Sequence, residues 1–217
     1  MAINKSLLLY GRSSSGKSSS LESIDQTSLY YINCEKKTIS YNHKGLYKES
    51  KPMTVSQVQQ SIKEAIEDDK VQTVVLDSLT MLVDIMAYKE LVKEAADSRG
   101  GWMDLRDWVQ QMLEYIKGSD KTFIFIALEM ALDNKAEFTQ NKVPKLSGSM
   151  KEMLSSHFTT VLRSTCTVED GKLLYRFQTN RTADEFDVEA KSPRGMLEPY
   201  EPNDMGTILT KMDEYYN

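Results

Sequence analysis

The stretch GRSSSGKS at residues 11–18 decides the fold of this chain. It fits the P-loop pattern G-x-x-x-x-G-K-[ST], in which a glycine-rich loop wraps the phosphates of a nucleotide. The apolar run LLLY at residues 7–10 predicts a buried strand before the loop, and residues 18–24 can begin a helix after it. The strand–loop–helix context that the pattern requires is therefore present. Six serines crowd residues 13–20, so a flexible serine-rich linker is the alternative.

The residue types of the loop suit a bound triphosphate. Gly11 and Gly16 let the backbone turn tightly and bring its amides close to phosphate oxygens. A helix that starts near Gly16 adds its positive end to the same place. Lys17 is a cation for the β- and γ-phosphates, and the hydroxyl of Ser18 can ligate Mg²⁺. We expect the nucleotide, ATP, to contact Gly11, Arg12, Ser13, Ser14, Ser15, Gly16, Lys17, Ser18 and Ser19.

Length and composition are those of an ordinary globular domain. The chain has 217 residues, of which 40% are hydrophobic and 27% are charged. We expect residues 1–217 to form one domain, without a separate N-terminal domain. The sequence has no membrane span, no signal peptide and only two cysteines, which favours a cytoplasmic protein without a membrane partner. A net charge of −5 argues against coating nucleic acid by bulk charge but leaves local basic loops open.

Predicted strands and helices alternate along the chain. This order favours an α/β fold with a mostly parallel, twisted sheet that helices cover on both faces. An Asp-Gly pair at residues 170–171 predicts a hairpin and hence an antiparallel C-terminal edge. Residues 130–147 are predicted to form a long polar loop, and residues 99–101 to interrupt two helices. Strands are expected at 30–34, 71–77, 122–128, 159–168 and 173–179, and helices at 55–69, 79–93, 102–117, 149–155 and 204–212.

Two carboxylates follow predicted strands. Asp77 ends the apolar run VVLD, and we expect its strand to lie next to the P-loop strand, where Asp77 can hold Mg²⁺ with Ser18. The alternative is a helix cap, because Asp77 and Ser78 precede a helix. Glu35 follows the second strand, where a carboxylate could polarise a water aimed at the γ-phosphate. The alternative is an exposed glutamate paired with Lys36 or Lys37.

These stretches together resemble the RecA-like P-loop ATPase core, and in particular the small bacteriophage recombination ATPases used in single-strand annealing. The resemblance implies Mg-ATP hydrolysis with Glu35 activating the water. It also implies that the end of the fourth strand senses the γ-phosphate; the family commonly has glutamine there, and this chain has Glu129. The resemblance rests on GRSSSGKS at 11–18, YYINCE at 30–35, VVLDSLTML at 74–82, FIFIALE at 123–129 and LSGSMKEMLSSHFTTVLR at 146–163.

Assembly and DNA binding are also implied by the resemblance. Lys191 and Arg194 resemble the basic pair that related rings and filaments insert into a neighbour's nucleotide site, although relatives space the two residues more closely. A solvated turn is the alternative. Residues 95–104 and 130–147 match the loops that meet single-stranded DNA, which implies DNA contacts by Arg99, Trp102, Lys135, Lys142 and Lys145. Trp102 also fits an apolar helix stripe, and a charged loop can simply be solvated.

The predicted partners are single-stranded DNA, further copies of this chain in a filament or ring, and a single-strand-binding or annealing protein. Two other functions use the same P-loop. One is a small-molecule or nucleoside kinase, which usually carries an arginine-rich lid; residues 130–147 contain no arginine, which counts against it. The other is a nucleotide-gated assembly module with little turnover.

Overall fold

A computed structural model describes residues 5–134, 139–148 and 150–217. Its strands form one sheet in the order β3-β2-β4-β5-β1-β7-β8-β9, and β6 pairs with β5. The strands are β1 (Leu7–Gly11), β2 (Leu29–Asn33), β3 (Lys48–Ser50), β4 (Thr73–Asp77), β5 (Thr122–Asn134), β6 (Thr139–Pro144), β7 (Thr160–Glu169), β8 (Lys172–Gln178) and β9 (Tyr200–Pro202).

Strands β3, β2, β4, β5, β1 and β7 run parallel, so their carboxyl ends share one edge of the sheet. The expectation that the strand ending in Asp77 lies next to the P-loop strand is wrong, because β5 lies between β4 and β1. Order along the chain does not fix order in space when helical crossovers join parallel strands. The register nevertheless aligns Asp77 with Asn33 on one side and with Ile126 on the other.

Helical segments cover both faces of the sheet, which confirms the predicted fold class. Alternate strand residues, such as Leu8 and Leu7, join different apolar clusters. The first face is covered by α1 (Val55–Glu67), α2 (Leu79–Met81) continuing as a π-helix (Leu82–Lys93), α3 (Ser98–Lys117) and α4 (Met150–Met153). The opposite face is covered by a 3₁₀ helix (Ser19–Ser23) and α5 (Met205–Tyr216).

Residues 99–101 do not interrupt two helices as predicted; they form the first turn of α3. The Asp97 carboxylate accepts hydrogen bonds from the backbone amides of Arg99 (3.0 Å) and Gly100 (3.2 Å) and so caps the helix. Gly101 is required by packing, since a Cβ there would lie 2.3 Å from the carbonyl oxygen of Leu91 in the π-helix. Glycine serves here for the close approach of two helices rather than for a break.

The long polar loop predicted at residues 130–147 is also wrong. Strand β5 continues to Asn134, and β6 returns antiparallel to it, with Glu129 opposite Pro144 and Asp133 opposite Gln140. The pairing satisfies the backbone groups of a segment that is too polar to signal a strand by its composition. The hairpin starts where β1 ends, because Leu128 is the last residue of β5 that pairs with β1. Lys135 lies outside the described residues.

The predicted hairpin at residues 170–171 is confirmed. Asp170 and Gly171 both have positive φ angles, 50° and 73°, as a two-residue turn between antiparallel strands requires. The pairing of β7 with β1 ends at Ser164, which is opposite Gly11, and the pairing of β8 with β9 begins at Arg176, which is opposite Pro202. Between these points β7 and β8 pair only with each other among the described residues. Residues 165–169 and 172–175, called the ribbon below, thus project past the edge of the sheet.

Neither cysteine is in a disulfide; Cys34 is buried and Cys166 is exposed on the ribbon. Within the part of the chain that the structure describes, the helices are too short or too polar to cross a membrane.

Candidate nucleotide site

A cavity of about 840 Å³ opens at the edge of the sheet where the parallel strands end. Its volume is in the range of sites that hold small molecules and cofactors. The strand register brings together side chains that are far apart in the sequence, namely Lys17, Ser18, Glu35 and Asp77. Of the predicted loop residues, those that line the cavity are Ser13, Ser14, Gly16, Lys17, Ser18 and Ser19, whereas Gly11, Arg12 and Ser15 do not.

The P-loop turns tightly, as its glycines predict, but the helix predicted after it is a short 3₁₀ helix over Ser19–Ser23. Gly16 has φ of 92° and Ser14 has φ of 62°, both in the left-handed region. Gly11 admits no side chain, because a Cβ there would lie 2.5 Å from the carbonyl oxygen of Ser164. The loop therefore turns sharply against β7, and its conformation excludes the flexible-linker alternative.

Lys17 is the buried cation of the loop. Its Nζ donates to the carbonyl oxygens of Gly11 (2.9 Å) and Arg12 (2.7 Å), so the side chain curls over the loop. Burial lowers the pKa of Lys17, and the nearby carboxylates of Asp77 and Glu35 oppose that shift. A phosphate oxygen is a stronger partner for an ammonium group than a carbonyl is, so the arrangement suits an anion.

Ser18 and Asp77 fit a magnesium ion. The Ser18 hydroxyl donates to Oδ2 of Asp77 at 3.1 Å, and the hydroxyl of Tyr31 donates to the same oxygen. Burial raises the pKa of Asp77, against these two hydrogen bonds. Hard oxygen ligands beside a phosphate loop are what Mg²⁺ prefers. The helix-cap alternative for Asp77 is wrong, since the cap of α2 is Ser78, whose hydroxyl accepts from the amide of Met81 at 3.2 Å.

Glu35 both lines the cavity, as expected of a water-polarising carboxylate, and pairs with Lys37, as its alternative interpretation predicts. Its carboxylate lines the cavity, accepts from the Ser78 hydroxyl at 2.9 Å and pairs with the ammonium of Lys37. Burial alone would raise the pKa of Glu35, but hydrogen bonds from Lys37 and Ser78 and the charge of Lys17 lower it overall. The carboxylate is therefore ionised at neutral pH, as a group that accepts a proton from water must be.

Glu129 is held away from the cavity. Its Oε2 accepts from Nε of Arg163 at 2.7 Å, and both side chains are only 8% exposed. The same guanidinium donates to Gln178 at 3.1 Å and to Glu185 at 3.3 Å. Glu129 does not line the cavity, although Leu128 beside it does. A sensing role for Glu129 stays a prediction, and the structure gives its carboxylate a buried cation as partner.

Lys191 and Arg194 do not line the cavity of their own chain. Lys191 exchanges backbone hydrogen bonds with Val161 of β7. Val161 pairs with Leu8 of β1, and Leu8 lies three residues before Gly11, where the P-loop begins. Arg194 is exposed to solvent. Service to a neighbouring subunit's site stays a prediction for both residues.

The described DNA candidates lie on two segments that meet. The Trp102 ring packs 5.2 Å from the ring of Tyr88, and it lies 3.3 Å from the position of a Cβ on Gly148. Trp102 is 37% exposed, so it is partly a packing residue. The side chains of Arg99 and Lys145 are exposed, and neither pairs with a carboxylate of the described residues. Lys142 is half-buried and pairs with Glu185 at 3.6 Å.

Thr80 links two segments of the chain through hydrogen bonds that the sequence did not reveal. Its buried hydroxyl accepts from the amide of Leu128 at 3.0 Å and donates to the carbonyl oxygen of Lys145 at 3.0 Å. The sequence likewise did not point to Tyr31, Ser78, Ser164, Tyr175 and Asn203. Tyr31, Ser78 and Thr80 belong to motif stretches and could have been suspected, whereas Tyr175 and Asn203 carry no local signal.

The parallel sheet, the loop geometry and the Lys17–Ser18–Asp77 cluster define a P-loop nucleotide-binding protein. A family model described as an AAA domain matches residues 3–193, and the chain belongs to this family of P-loop ATPases. A comparison with curated proteins found no match.

Proposed function

We propose that this protein is a Mg-ATP-hydrolysing ATPase that is stimulated by single-stranded DNA and assembles on it to promote annealing, as the small bacteriophage recombination ATPases do. One observation carries the DNA part of this proposal. Strand β5 runs without a break from Leu128, which lines the cavity, into the hairpin with β6 that matches a DNA-binding loop.

The chemistry needs few groups. The P-loop amides and Lys17 bind and orient the triphosphate, and Ser18 and Asp77 would hold Mg²⁺, which would supply positive charge for the phosphates. Glu35 accepts a proton from a water molecule on the far side of the γ-phosphate. Ser78 holds the Glu35 carboxylate at 2.9 Å and fixes its direction. Removal of the carboxylate should therefore leave nucleotide binding intact while it abolishes turnover.

Coupling to DNA uses Thr80 and β5. The Thr80 hydroxyl joins Leu128 at the cavity to Lys145 at the end of β6 through two hydrogen bonds of 3.0 Å. A shift of the β5 end on nucleotide binding would therefore move the hairpin. Arg99 and Lys145 supply exposed positive charge for phosphates, and the partly exposed ring of Trp102 is available for stacking.

The placement of two cations supports the proposal of oligomerisation. Lys191 and Arg194 lie outside the cavity of their own chain, so they can serve a nucleotide only across a subunit interface. A cation supplied in this way stabilises charge that develops during phosphoryl transfer. Assembly would then be tied to ATP, and the oligomer would be a filament or ring with nucleotides between subunits.

A titration of fluorescent single-stranded oligonucleotide tests the proposal, with and without a slowly hydrolysed ATP analogue. We expect binding that the analogue strengthens, ATP hydrolysis that DNA accelerates, and assembly seen by light scattering. Lys145→Glu should weaken binding about equally for all oligonucleotide sequences and reduce its salt dependence. Lys63→Glu, the same charge reversal at an exposed position of α1, is the matched control and should change neither.

Other outcomes would identify the other functions. ATP consumption that requires a small acceptor rather than DNA would indicate a kinase. ATP-dependent assembly that is unchanged in Glu35→Gln, together with negligible turnover of the wild type, would indicate an assembly module. No DNA binding at low salt in either nucleotide state would remove DNA from the proposal.

A further inference from the structure

The end of the cavity opposite Glu35 is built by residues that the phosphate chemistry does not use. Tyr175 of the ribbon and Asn203, just after β9, line this end. A Cβ on Gly16 would lie 2.6 Å from Oδ1 of Asn203 and 3.1 Å from Cδ1 of Tyr175. Both side chains therefore lie directly beside the P-loop.

The direction of a bound triphosphate follows from the phosphate end. Glu35 and Asp77 mark the place of the γ-phosphate, because the water-activating carboxylate and the magnesium ligand must both lie there. The α-phosphate and the nucleoside then point away from these carboxylates. This direction leads along the cavity past Gly16 towards the ribbon.

The aromatic rings that line the described cavity are those of Tyr31 and Tyr175. The ring of Tyr31 is buried and its hydroxyl is bound to Asp77, so it belongs to the phosphate end. Tyr175 is 38% exposed, and its ring is the one available at the nucleoside end. Within the described part of the chain the strand of Tyr175 pairs at this position only with β7, and the ring belongs to neither apolar cluster, so packing does not account for it.

We propose that Tyr175 is the stacking platform for the base of the bound nucleotide, so that the ribbon forms the nucleoside half of the site. This inference rests on the proposed nucleotide-binding function and extends it to the base. Stacking uses the π face that every nucleobase has. The platform therefore predicts similar affinities for ATP and GTP rather than strict selection of adenine.

Hydrogen bonds hold the ribbon in position. The Ser164 hydroxyl donates to the carbonyl oxygen of Ser15 at 2.6 Å, and the Asn203 amide nitrogen donates to that hydroxyl at 3.2 Å. Since the Ser164 hydroxyl donates to a carbonyl, it accepts from Asn203, which fixes the orientation of the amide. The foot of the ribbon is thus tied to the loop that binds the phosphates, and Tyr175 keeps its place beside Gly16.

Calorimetric titration of the full chain with Mg-ATP, Mg-GTP and Mg-tripolyphosphate tests the platform. Tripolyphosphate carries the phosphates without a nucleoside. We expect Tyr175→Ala to weaken ATP and GTP binding by about 5- to 160-fold, the range for loss of one base–aromatic stack. Tripolyphosphate binding should not change, and Tyr175→Phe should keep the wild-type affinities.

Leu174→Ala is the matched control, because Leu174 is the neighbouring ribbon residue and points to the opposite face of the strand. It should leave all three affinities unchanged. Wild-type ATP affinity in Tyr175→Ala, or an equal loss of ATP and tripolyphosphate binding, would overturn the platform while the nucleotide site itself stands. A wild-type protein that binds none of the three ligands would overturn both the platform and the proposed function.

Discussion

The two ends of the cavity are built in opposite ways. The phosphate end consists of residues at the ends of buried parallel strands, and Tyr31 and Ser78 there are nearly fully buried. The proposed nucleoside end is made by a two-stranded ribbon, and residues 165–169 and 172–175 of this ribbon pair with no further strand among the described residues. The first end is held by the sheet register, and the second is held by the hydrogen bonds of Ser164.

This difference between the two ends matches two different requirements, those of chemistry at the γ-phosphate and those of contact with the base. Chemistry at the γ-phosphate needs groups at fixed positions, and buried strands supply them because any slip in register would expose the core. Contact with a base does not place reacting atoms, and stacking accepts any base because every base has a π face, so it needs less exact positioning than the chemical step. A projecting ribbon is sufficient for that contact, and it leaves an open path for the nucleotide to enter and leave.

The largest effect is expected at the phosphate end. Glu35→Gln should lower turnover by about 100- to 10,000-fold, because it removes the proposed general base. Nucleotide affinity should stay near that of the wild type, since Lys17, Ser18 and Asp77 are untouched. Single-turnover hydrolysis and equilibrium binding measure the two quantities. Turnover within a factor of two of the wild type would show that Glu35 is not the base.

Lys17→Ala should reduce kcat/KM by about 100- to 1,000-fold, the usual cost of losing one strong electrostatic contact to a reacting group. The melting temperature should not fall. Burial lowers the pKa of Lys17 in the folded chain, so folding disfavours the charged form, and relief of this cost offsets the loss of the hydrogen bonds that Nζ donates to Gly11 and Arg12. Steady-state kinetics and a thermal melt check both expectations. A protein that melts much earlier would show that Lys17 is needed for the fold instead.

Arg163→Met tests the cluster at the foot of the ribbon. The change leaves the buried carboxylate of Glu129 without its cation, and it should lower the free energy of unfolding by about 3–5 kcal/mol. The double variant with Glu129→Gln should recover part of this loss. Urea unfolding measures both. If Glu129→Gln alone keeps stability but abolishes DNA-stimulated hydrolysis, Glu129 has the sensing role and not only a structural one.

The smallest effect is expected at Ser164. Ser164→Ala removes the hydrogen bonds to Ser15 and Asn203, which should cost about 1 kcal/mol of stability. ATP binding should weaken more than tripolyphosphate binding, because the ribbon loses its anchor while the phosphate end is intact. Amide exchange should be faster at residues 165–169 in the variant and unchanged in β4. Equal weakening of both ligands would place Ser164 in phosphate binding.

Local sequence signals predicted the phosphate end well. The P-loop, Glu35 and Asp77 each follow a short apolar strand, and the side chains at the ends of parallel strands meet at one edge. The same reasoning placed the Asp77 strand beside β1, which is wrong because the crossovers insert β5 between them. Local signals fix where a strand ends but not which strand lies next to it.

The hairpin of β5 and β6 shows a second way in which a sequence-based prediction fails, since the sequence predicts a polar loop there. Residues 139–144 are polar, and their pairing depends on β5 being in place to accept them. Residues 99–101 show a third way in which a sequence-based prediction fails. The sequence predicts a helix break there, but Gly101 allows α3 to approach Leu91 of the π-helix, a contact that only the packed structure shows. In each case the deciding contact is with a different strand or helix, so the local sequence of one element does not reveal it.

The sequence by itself determined a P-loop ATPase and predicted where Ser18, Asp77 and Glu35 lie, because the position of each of these residues is set by short-range geometry around a strand end. Only the tertiary structure decided that Arg163 neutralises Glu129, that Thr80 joins the cavity to the hairpin, and that Tyr175 stands beside Gly16. These contacts join residues between about 30 and 160 positions apart, and such pairs meet only when burial of the two apolar faces has assembled the sheet.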